Sequence, residues 1–281
     1  MVDSLKRVRV PDLREKKRRG EKIAMLTAYD ATMARLLEQA DIDVLLVGDS
    51  LGMVIMGCEH TLAVTMDAMV HHSAAVSRVA RRALVVADMP FLSFRTTIAA
   101  AVRNAGRLLQ EGGAAAVKIE GGQPVLEVTR RLTKIGIPVM GHLGLMPQSV
   151  HQLGGFRRQG RSEEDADRLI SDAVAIEEAG AFAVVLESIP EAVAKRVTER
   201  LSIPTIGIGA GPYCDGHVLV SYDVLGLSGE QTPPFVRQYA NLGELVVEAA
   251  RCYVRDVRAG RFPASQTVAS ESRDDRGGGG R

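Results

Sequence analysis

The feature that most constrains the fold is an eightfold alternation of short aliphatic runs with longer helical stretches. The runs are rich in β-branched and aliphatic residues and end in polar or Gly-rich turns: IAMLTAYD (23–30), VLLVGDS (44–50), ALVVADMP (83–90), AAAVKIEG (114–121), IPVMGHLG (137–144), AFAVVLES (181–188), IPTIGIGA (203–210) and VLVSYDVLG (218–226). Strands that alternate with helices form right-handed βαβ units and a parallel sheet. Eight such units in about 250 residues predict an α/β protein with a (β/α)8, or TIM, barrel.

The segments around the eight runs complete the predicted organisation. Residues 4–22 are basic with few apolar anchors, and we expect a surface helix before the first strand. Two connections are long: residues 51–82 should hold an extra element before a helix at 66–81, and residues 145–161 lack periodicity and indicate a binding loop or lid. We expect one catalytic barrel domain over residues 1–264, N-terminal helix included, and a disordered tail over 265–281.

Composition excludes several classes of protein. The formal net charge is +1, aromatic residues make up 4% of the chain and Trp is absent, which argues against nucleic acid or an anionic membrane as a partner. The three cysteines are far apart and form no CxxC pair, which argues against a disulfide framework or a zinc knuckle. There is no secretory signal and no run of about 18 apolar residues. These features predict a soluble cytoplasmic protein.

The fourth run carries two charges inside an apolar strand. Lys118 and Glu120 are two residues apart, so a strand directs both side chains to the same side. Burying them costs several kcal/mol per ion, by rough estimate, unless each has a partner. The pair therefore indicates either a functional site or a structural salt bridge at the end of the strand.

Ionisable residues recur at the ends of five consecutive runs, where the active site of a TIM barrel lies. They are Asp49, Asp88, the pair Lys118 and Glu120, His142, and Glu187. One polar strand end is commonplace, but five in succession have no ordinary packing explanation. This pattern favours an active site over a structural role.

Three of these residues predict a metal site. Asp49, Asp88 and Glu120 end neighbouring strands, and three adjacent carboxylates repel one another unless a cation neutralises them. Oxygen ligands without sulfur or several histidines favour Mg²⁺ over Zn²⁺. The formal charges of three carboxylates, one Mg²⁺ and one lysine then cancel. The alternative is a proton shared among the carboxylates, with Lys118 as their sole partner.

A bound Mg²⁺ suits a 2-oxo acid, which chelates it through carbonyl and carboxylate oxygens. The metal then stabilises the enolate that forms when the neighbouring carbon loses a proton. Glu187 is placed across the barrel mouth as a candidate general acid or base. His142 either donates a hydrogen bond to the substrate or is a satisfied core histidine, and both readings stay open.

Several long segments resemble one enzyme family along most of the chain. They are LTAYD (26–30), LLVGDSLGM (45–53), VVADMPF (85–91), VKIEGG (117–122), GHLGLMPQSV (141–150), GGFRRQGR (154–161) and IGIGAGPYCDG (206–216). In this order they are similar to ketopantoate hydroxymethyltransferases, from about residue 5 to about residue 263. The resemblance implies a decameric (β/α)8 enzyme that transfers a one-carbon unit from 5,10-methylenetetrahydrofolate to 3-methyl-2-oxobutanoate. Its product is 2-dehydropantoate, made in the first step of pantothenate biosynthesis.

The resemblance also implies roles for individual residues. Asp49 and Asp88 correspond to the Mg²⁺ ligands of the family and also touch the oxo acid, and Glu120 corresponds to the third acidic residue of the metal site. Ser50 and Lys118 correspond to groups that hold the oxo acid. Glu187 corresponds to the proton acceptor. One departure is visible, because GRFP (260–263) leads into ASQTVASES and not into the acidic, His-containing tail common in the family.

Three further expectations follow. The arginines of the 145–161 connection, Arg157, Arg158 and Arg161, are candidate partners for the anionic tail of the folate. A Mg²⁺-dependent carbon–carbon lyase or phosphonomutase of the related barrel superfamily is the alternative function, but the loops after the mid-barrel strands carry no cysteine that would favour it. A non-catalytic binding barrel would tolerate loss of the acidic residues, and here they are intact.

Overall fold

The strands close into a barrel, as the alternating runs predict. The computed structural model describes residues 6–229 and 232–263 and contains eight parallel strands that neighbour one another in sequence order, with the eighth paired to the first. The strands are β1 (Ile23–Thr27), β2 (Val44–Val47), β3 (Leu84–Asp88), β4 (Ala116–Glu120), β5 (Val139–Gly144), β6 (Ala183–Glu187), β7 (Thr205–Ile208) and β8 (Gly216–Leu219). The (β/α)8 prediction is therefore confirmed, whereas the tail predicted over 265–281 lies outside the described residues.

Helices follow most of the strands and form the outer layer. They are α1 (Val10–Arg19), α2 (Ala31–Gln39), α3 (Leu51–Val54), α4 (Met66–Ser77), α5 (Ile98–Gln110), α6 (Leu126–Lys134), α7 (Val150–Leu153), α8 (Glu163–Glu178), α9 (Glu191–Arg200), α10 (Ser221–Val224) and α11 (Leu242–Arg258). Four of them begin at a residue whose side chain accepts a hydrogen bond from a backbone N–H of the first turn: Asp30, Thr65, Thr97 and Ser162. Such caps satisfy N–H groups that have no partner within the helix.

Alternation along each strand divides the core into two layers. In β2, Val44 and Leu46 point into the barrel, whereas Leu45 and Val47 pack under the helices. In β3, Leu84 and Val86 belong to the inner set in the same way. The lower part of the barrel is therefore filled with aliphatic side chains, and the upper part is left for the polar residues that continue each inward set.

A helix precedes the first strand, as predicted, but it does more than cover the surface, because it closes the lower end of the barrel. Leu13 of α1 is fully buried and packs with the inward aliphatic residues of the strands. Two lysines of α1 bind carboxylates at this end, with Lys16 Nζ 3.1 Å from Asp43 Oδ2 and Lys17 Nζ 2.8 Å from Asp215 Oδ2. The lower end is thus closed by a buried leucine and by two ion pairs between α1 and the barrel.

Two sequence-based expectations differ from the structure. Residues 218–226 are not one strand, because β8 ends at Leu219 and the next residues form the short helix α10. The 145–161 connection is also more ordered than its lack of periodicity indicated. It contains a 3₁₀ turn, Pro147–Ser149, and the helix α7, which ends at Gly154 with a φ of 66°. Proline favours a first helical turn because its ring fixes φ, and glycine readily adopts the left-handed conformation that ends a helix.

The last helix lies apart from the core. No residue of α11 is buried, although the helix carries a series of apolar side chains. The exposed ones are Leu245, Val246, Val247, Tyr253, Val254 and Val257. Among the described residues, no helix combines the length and apolar character needed to cross a bilayer.

Candidate active site

The site residues extend the inward-facing sets of the strands at the upper end of the barrel. Strand register places Asp88 beside Lys118 and Glu120 beside His142. Glu187 ends β6 and lies in register with Gly144 at the end of β5. The register therefore brings these predicted site residues onto neighbouring positions of one surface.

Lys118 pairs across strands and not with its neighbour on β4. Its Nζ lies 3.1 Å from Asp88 Oδ1, and both side chains are nearly inaccessible to solvent. Burial disfavours the ammonium, but Asp88, Glu120 and Asp49 outweigh burial and raise the pKa of Lys118. Burial also raises the pKa of Asp88, and Lys118 only partly offsets it. The lysine is thus a buried cation surrounded by carboxylates.

His142 lies between two carboxylates. Its Nε2 is 3.1 Å from Glu187 Oε2, and its Nδ1 is 3.4 Å from Glu120 Oε1 and 3.2 Å from Lys118 Nζ. Burial and the Lys118 ammonium oppose protonation, but Glu120 and Glu187 outweigh them and raise the pKa of His142 to about 9. The imidazolium has no lone pair to accept from Lys118, so that approach is a contact between like charges and not a hydrogen bond. His142 is therefore part of the ionisable cluster.

Asp49 meets Asp88 through its backbone. The Asp49 N–H donates to Asp88 Oδ2 at 3.1 Å. Burial, the Asp88 carboxylate and the Glu120 carboxylate together raise the pKa of Asp49 well above its usual range. The Asp88 carboxylate thus disfavours ionisation of the buried Asp49 carboxyl, and a cation would relieve that repulsion.

Ser50 is held by an aromatic hydroxyl that the sequence reasoning did not single out. Tyr29, which is fully buried after β1, has its hydroxyl 2.8 Å from Ser50 Oγ. Gly48 gives this turn its room, because a Cβ there would lie 2.7 Å from Ser50 Oγ. The LTAYD and VGDS segments thus meet through the hydroxyl groups of Tyr29 and Ser50.

Gln148 is the second residue that sequence reasoning missed. Its Nε2 donates to Asp49 Oδ2 at 2.8 Å and to the backbone oxygen of Met89 at 2.9 Å, and its backbone N–H donates to Glu120 Oε2 at 3.1 Å. The sequence offered two general signals, its place in the connection after β5 and its position within the GHLGLMPQSV segment, and neither assigns it a role. A lone glutamine in a loop has no period or spacing from which such a role can be inferred.

The cluster has spare polar capacity that suits a ligand. Among the described residues, three of the buried side-chain atoms without a hydrogen-bond partner lie here. Asp88 Oδ1 and His142 Nε2 have ion-pair contacts with Lys118 and Glu187 that fall outside hydrogen-bond geometry, and Gln148 Oε1 is the third atom. The same part of the chain shows no three His, Cys, Asp or Glu side chains disposed to hold one metal ion. Mg²⁺ is commonly bound by one or two carboxylates plus water and substrate oxygens, so Asp49 and Asp88 fit it without a third direct ligand.

A parallel barrel with buried carboxylates, a lysine and a histidine at the carboxyl ends of its strands defines a TIM-barrel enzyme. The family model for ketopantoate hydroxymethyltransferase matches residues 7–265. A relative from Moorella thermoacetica, named 3-methyl-2-oxobutanoate hydroxymethyltransferase, is 56% identical over 257 residues, covering 92% of this chain and 96% of the relative. A relative of the same name from Syntrophomonas wolfei is 54% identical over 260 residues, covering 92% and 94%. The chain belongs to the ketopantoate hydroxymethyltransferase family, which confirms the resemblance.

Solved structures of more distant proteins share the fold. Phosphonopyruvate hydrolase in complex with oxalate and Mg²⁺ superimposes with a TM-score of 0.60 at 14% identity, covering 92% of this chain and 89% of that one. A 2,3-dimethylmalate lyase of the PEP mutase/isocitrate lyase superfamily gives a TM-score of 0.57 at 18% identity, covering 93% and 92%. At these identities the likeness concerns the fold alone, so the alternative lyase or phosphonomutase reading gains no functional support.

Proposed function

We propose that this protein transfers a hydroxymethyl group from 5,10-methylenetetrahydrofolate to 3-methyl-2-oxobutanoate and so forms 2-dehydropantoate, the first step of pantothenate biosynthesis. The observation that carries this activity is family membership over nearly the whole chain, with relatives more than 50% identical that bear the name of this transferase. The folate donor and Mg²⁺ are our finer proposals, and the site chemistry supports the metal.

Asp49 and Asp88 are the proposed direct ligands of a divalent cation, and Glu120 is the third acidic residue beside it. The supporting observation is that both carboxyl groups are buried and that the Asp88 charge helps to raise the pKa of Asp49, a repulsion that a cation relieves. When bound, the cation supplies Lewis acidity that draws electron density from the 2-oxo group. Lys118 adds a fixed positive charge 3.1 Å from Asp88, and Ser50, held by Tyr29, offers a hydroxyl. These groups, with Asp49, Asp88 and His142, form the proposed site for the oxo acid.

Glu187 is the proposed proton acceptor. Its side chain is 17% exposed, more than those of its buried neighbours, and its Oε2 lies 3.1 Å from His142 Nε2. It is therefore placed where an incoming substrate can reach it while the His142 imidazolium orients the carboxylate. Water adds to the methylene carbon of the folate and both of its C–N bonds break, which releases tetrahydrofolate and leaves the one-carbon unit as formaldehyde. Taking the proton from C3 of the oxo acid leaves an electron pair there that attacks the formaldehyde carbon, and the formaldehyde oxygen takes up a proton to complete the hydroxymethyl group.

The subunit arrangement is a further proposal. We propose a homo-oligomer, as the sequence resemblance implied with its decamer, in the cytoplasm. The supporting observation is α11, a 17-residue helix with no buried residue and apolar side chains such as Leu245 and Val246 at 64% and 60% exposure. A single exposed apolar residue is ordinary, but a whole helix of them favours a subunit interface. Light scattering coupled to size exclusion measures the subunit number, and a monomer would contradict this proposal.

The experiment that tests the function measures transfer of the one-carbon unit to 3-methyl-2-oxobutanoate, with and without a chelator. We expect the wild type to be active with Mg²⁺ and to lose activity with the chelator. Asp88→Ala should abolish both turnover and metal-dependent binding of the oxo acid. The matched control is Asp67→Ala, which removes an exposed carboxylate on α4 and should behave as wild type. Unchanged turnover in the Asp88 variant would contradict the proposed chemistry.

A further inference from the structure

Gln148 connects three strand ends through one side chain and one backbone N–H. Its carboxamide nitrogen donates to Asp49, which follows β2, and to the Met89 oxygen, which follows β3. Its backbone N–H donates to Glu120 at the end of β4. The residue itself follows β5 and is 4% exposed. Gln148 therefore contacts Asp49, one of the two proposed direct ligands of the cation, and Glu120, the third acidic residue of the site.

The orientation of the carboxamide is determined by its partners. A primary amide nitrogen has two hydrogens, and those of Gln148 are directed to Asp49 Oδ2 and to the backbone oxygen of Met89, which can only accept. Turning the amide over would set its oxygen against the Met89 oxygen. The carbonyl oxygen Oε1 must therefore face elsewhere, and it is buried without a hydrogen-bond donor.

A buried acceptor without a donor is unfavourable, because it has lost its water and gained nothing in return. At the edge of a carboxylate cluster the group that would satisfy it is a donor brought by a ligand. A hydrated divalent cation brings such donors, because Mg²⁺ keeps several of its waters when it binds to proteins. Residues that donate hydrogen bonds to metal ligands also fix the orientation of those ligands toward the ion.

We propose that Gln148 is a positioning residue of the cation site, which orients the Asp49 carboxylate through its Nε2 and accepts a hydrogen bond from the hydration shell of a bound divalent cation through its Oε1. This inference rests on the proposed function, since it requires the cation. It adds a neutral, amide-bearing residue from the connection after β5 to the acidic residues at the carboxyl ends of β2, β3 and β4.

The competing explanation is purely structural, with Gln148 pinning the start of the 145–161 connection onto the barrel. The two explanations differ in what they predict for metal affinity. If Gln148 has only a structural role, removing its side chain lowers the melting temperature and leaves the dissociation constant for Mg²⁺ unchanged. If it is a positioning residue, the same change also raises that constant.

The test is isothermal titration of the purified full-length protein with MgCl₂ alone, without substrate, alongside melting in the absence of metal. Gln148→Met keeps the length of the side chain and removes both hydrogen bonds of the carboxamide, while the backbone N–H bond to Glu120 is retained. We expect the dissociation constant for Mg²⁺ to rise about 10- to 100-fold. Gln152→Met, an exposed glutamine on α7, is the matched control and should bind Mg²⁺ as the wild type does.

A second measurement removes dependence on the variant. In a crystal structure of the wild type soaked with MnCl₂, Gln148 Oε1 should lie within hydrogen-bond distance of a water on the ion. Equal Mg²⁺ affinity for the wild type and the Gln148 variant, or an Oε1 turned away from the ion, overturns the inference and leaves the proposed function intact. A wild type that binds no Mg²⁺ contradicts both the proposed metal and this inference.

Discussion

Replacing Lys118 by methionine tests the electrostatic account of the site. Methionine is close to lysine in length and removes only the ammonium, which lies 3.1 Å from Asp88 Oδ1 in a buried pair. At that separation the Coulomb attraction is about 5 kcal/mol for an effective dielectric constant of about 20. Removing one partner of a buried pair typically destabilises a protein by about 3 to 5 kcal/mol, because the other charge is left without compensation. We expect Lys118→Met to lower the melting temperature by about 10 °C without metal.

The response to Mg²⁺ distinguishes this account from a simple loss of stability. In the wild type a divalent cation binds beside a fixed positive charge, whereas in Lys118→Met that repulsion is gone and the carboxylates have lost their counter-charge. We expect Mg²⁺ to bind Lys118→Met at least about tenfold more tightly, which adds about 1.4 kcal/mol to its stabilisation at saturating metal. Turnover should fall sharply, because the lysine is also a proposed contact of the oxo acid.

The assay is thermal unfolding by differential scanning fluorimetry over a series of MgCl₂ concentrations at fixed pH and protein concentration. Lys17→Met is the control, because Lys17 forms a 2.8 Å ion pair with Asp215 at the opposite end of the barrel. It should also lose stability, but its response to Mg²⁺ should match that of the wild type. If Lys118→Met gains no more from Mg²⁺ than these two proteins, the reasoning about charge compensation is refuted.

Three further predictions concern single groups around the site. Tyr29→Phe keeps a fully buried ring but removes the hydroxyl that lies 2.8 Å from Ser50 Oγ. The KM for the oxo acid should therefore rise about 3- to 10-fold with little change in kcat, and an unchanged KM would contradict a positioning role for this hydroxyl. Gly144→Ala places a Cβ against the backbone oxygen of Glu187 at a φ of 93°, and should lower the free energy of unfolding by about 2 to 3 kcal/mol in urea titrations, whereas wild-type stability would show that the strand ends can separate. Arg161→Ala should raise the KM for the folate donor and leave that for the oxo acid unchanged, and an unaltered folate KM would exclude this arginine.

The features that follow from local periodicity were predictable from the sequence. Short aliphatic runs between helical stretches defined the strands, and the period of two within a strand assigned Lys118 and Glu120 to one side of β4, where both are buried beside the other site residues. The approximate position of the N-terminal helix followed from the basic, mostly polar composition of residues 4–22. These features depend on the chain within a few residues, which a sequence displays directly.

Features that depend on register between strands were not predictable. The partner of Lys118 is Asp88 because residues 88 and 118 are paired across β3 and β4, whereas the sequence left open which of the three carboxylates lies nearest to it. The role of His142 was undecided until the structure placed it against Glu120 and Glu187. The contacts of Gln148 are made across 28, 59 and 99 positions of sequence, a separation that no local pattern records.

The sealed lower end of the barrel has a kinetic consequence. With Leu13 and the lysine pairs of α1 blocking one end, the proposed site at the strand ends opens only through the opposite mouth. Both substrates enter through this one mouth and cannot pass each other there. The small oxo acid binds at the deeper carboxylates, so it must bind before the bulky donor covers the site. We therefore expect compulsory-order kinetics, in which tetrahydrofolate dissociates before 2-dehydropantoate.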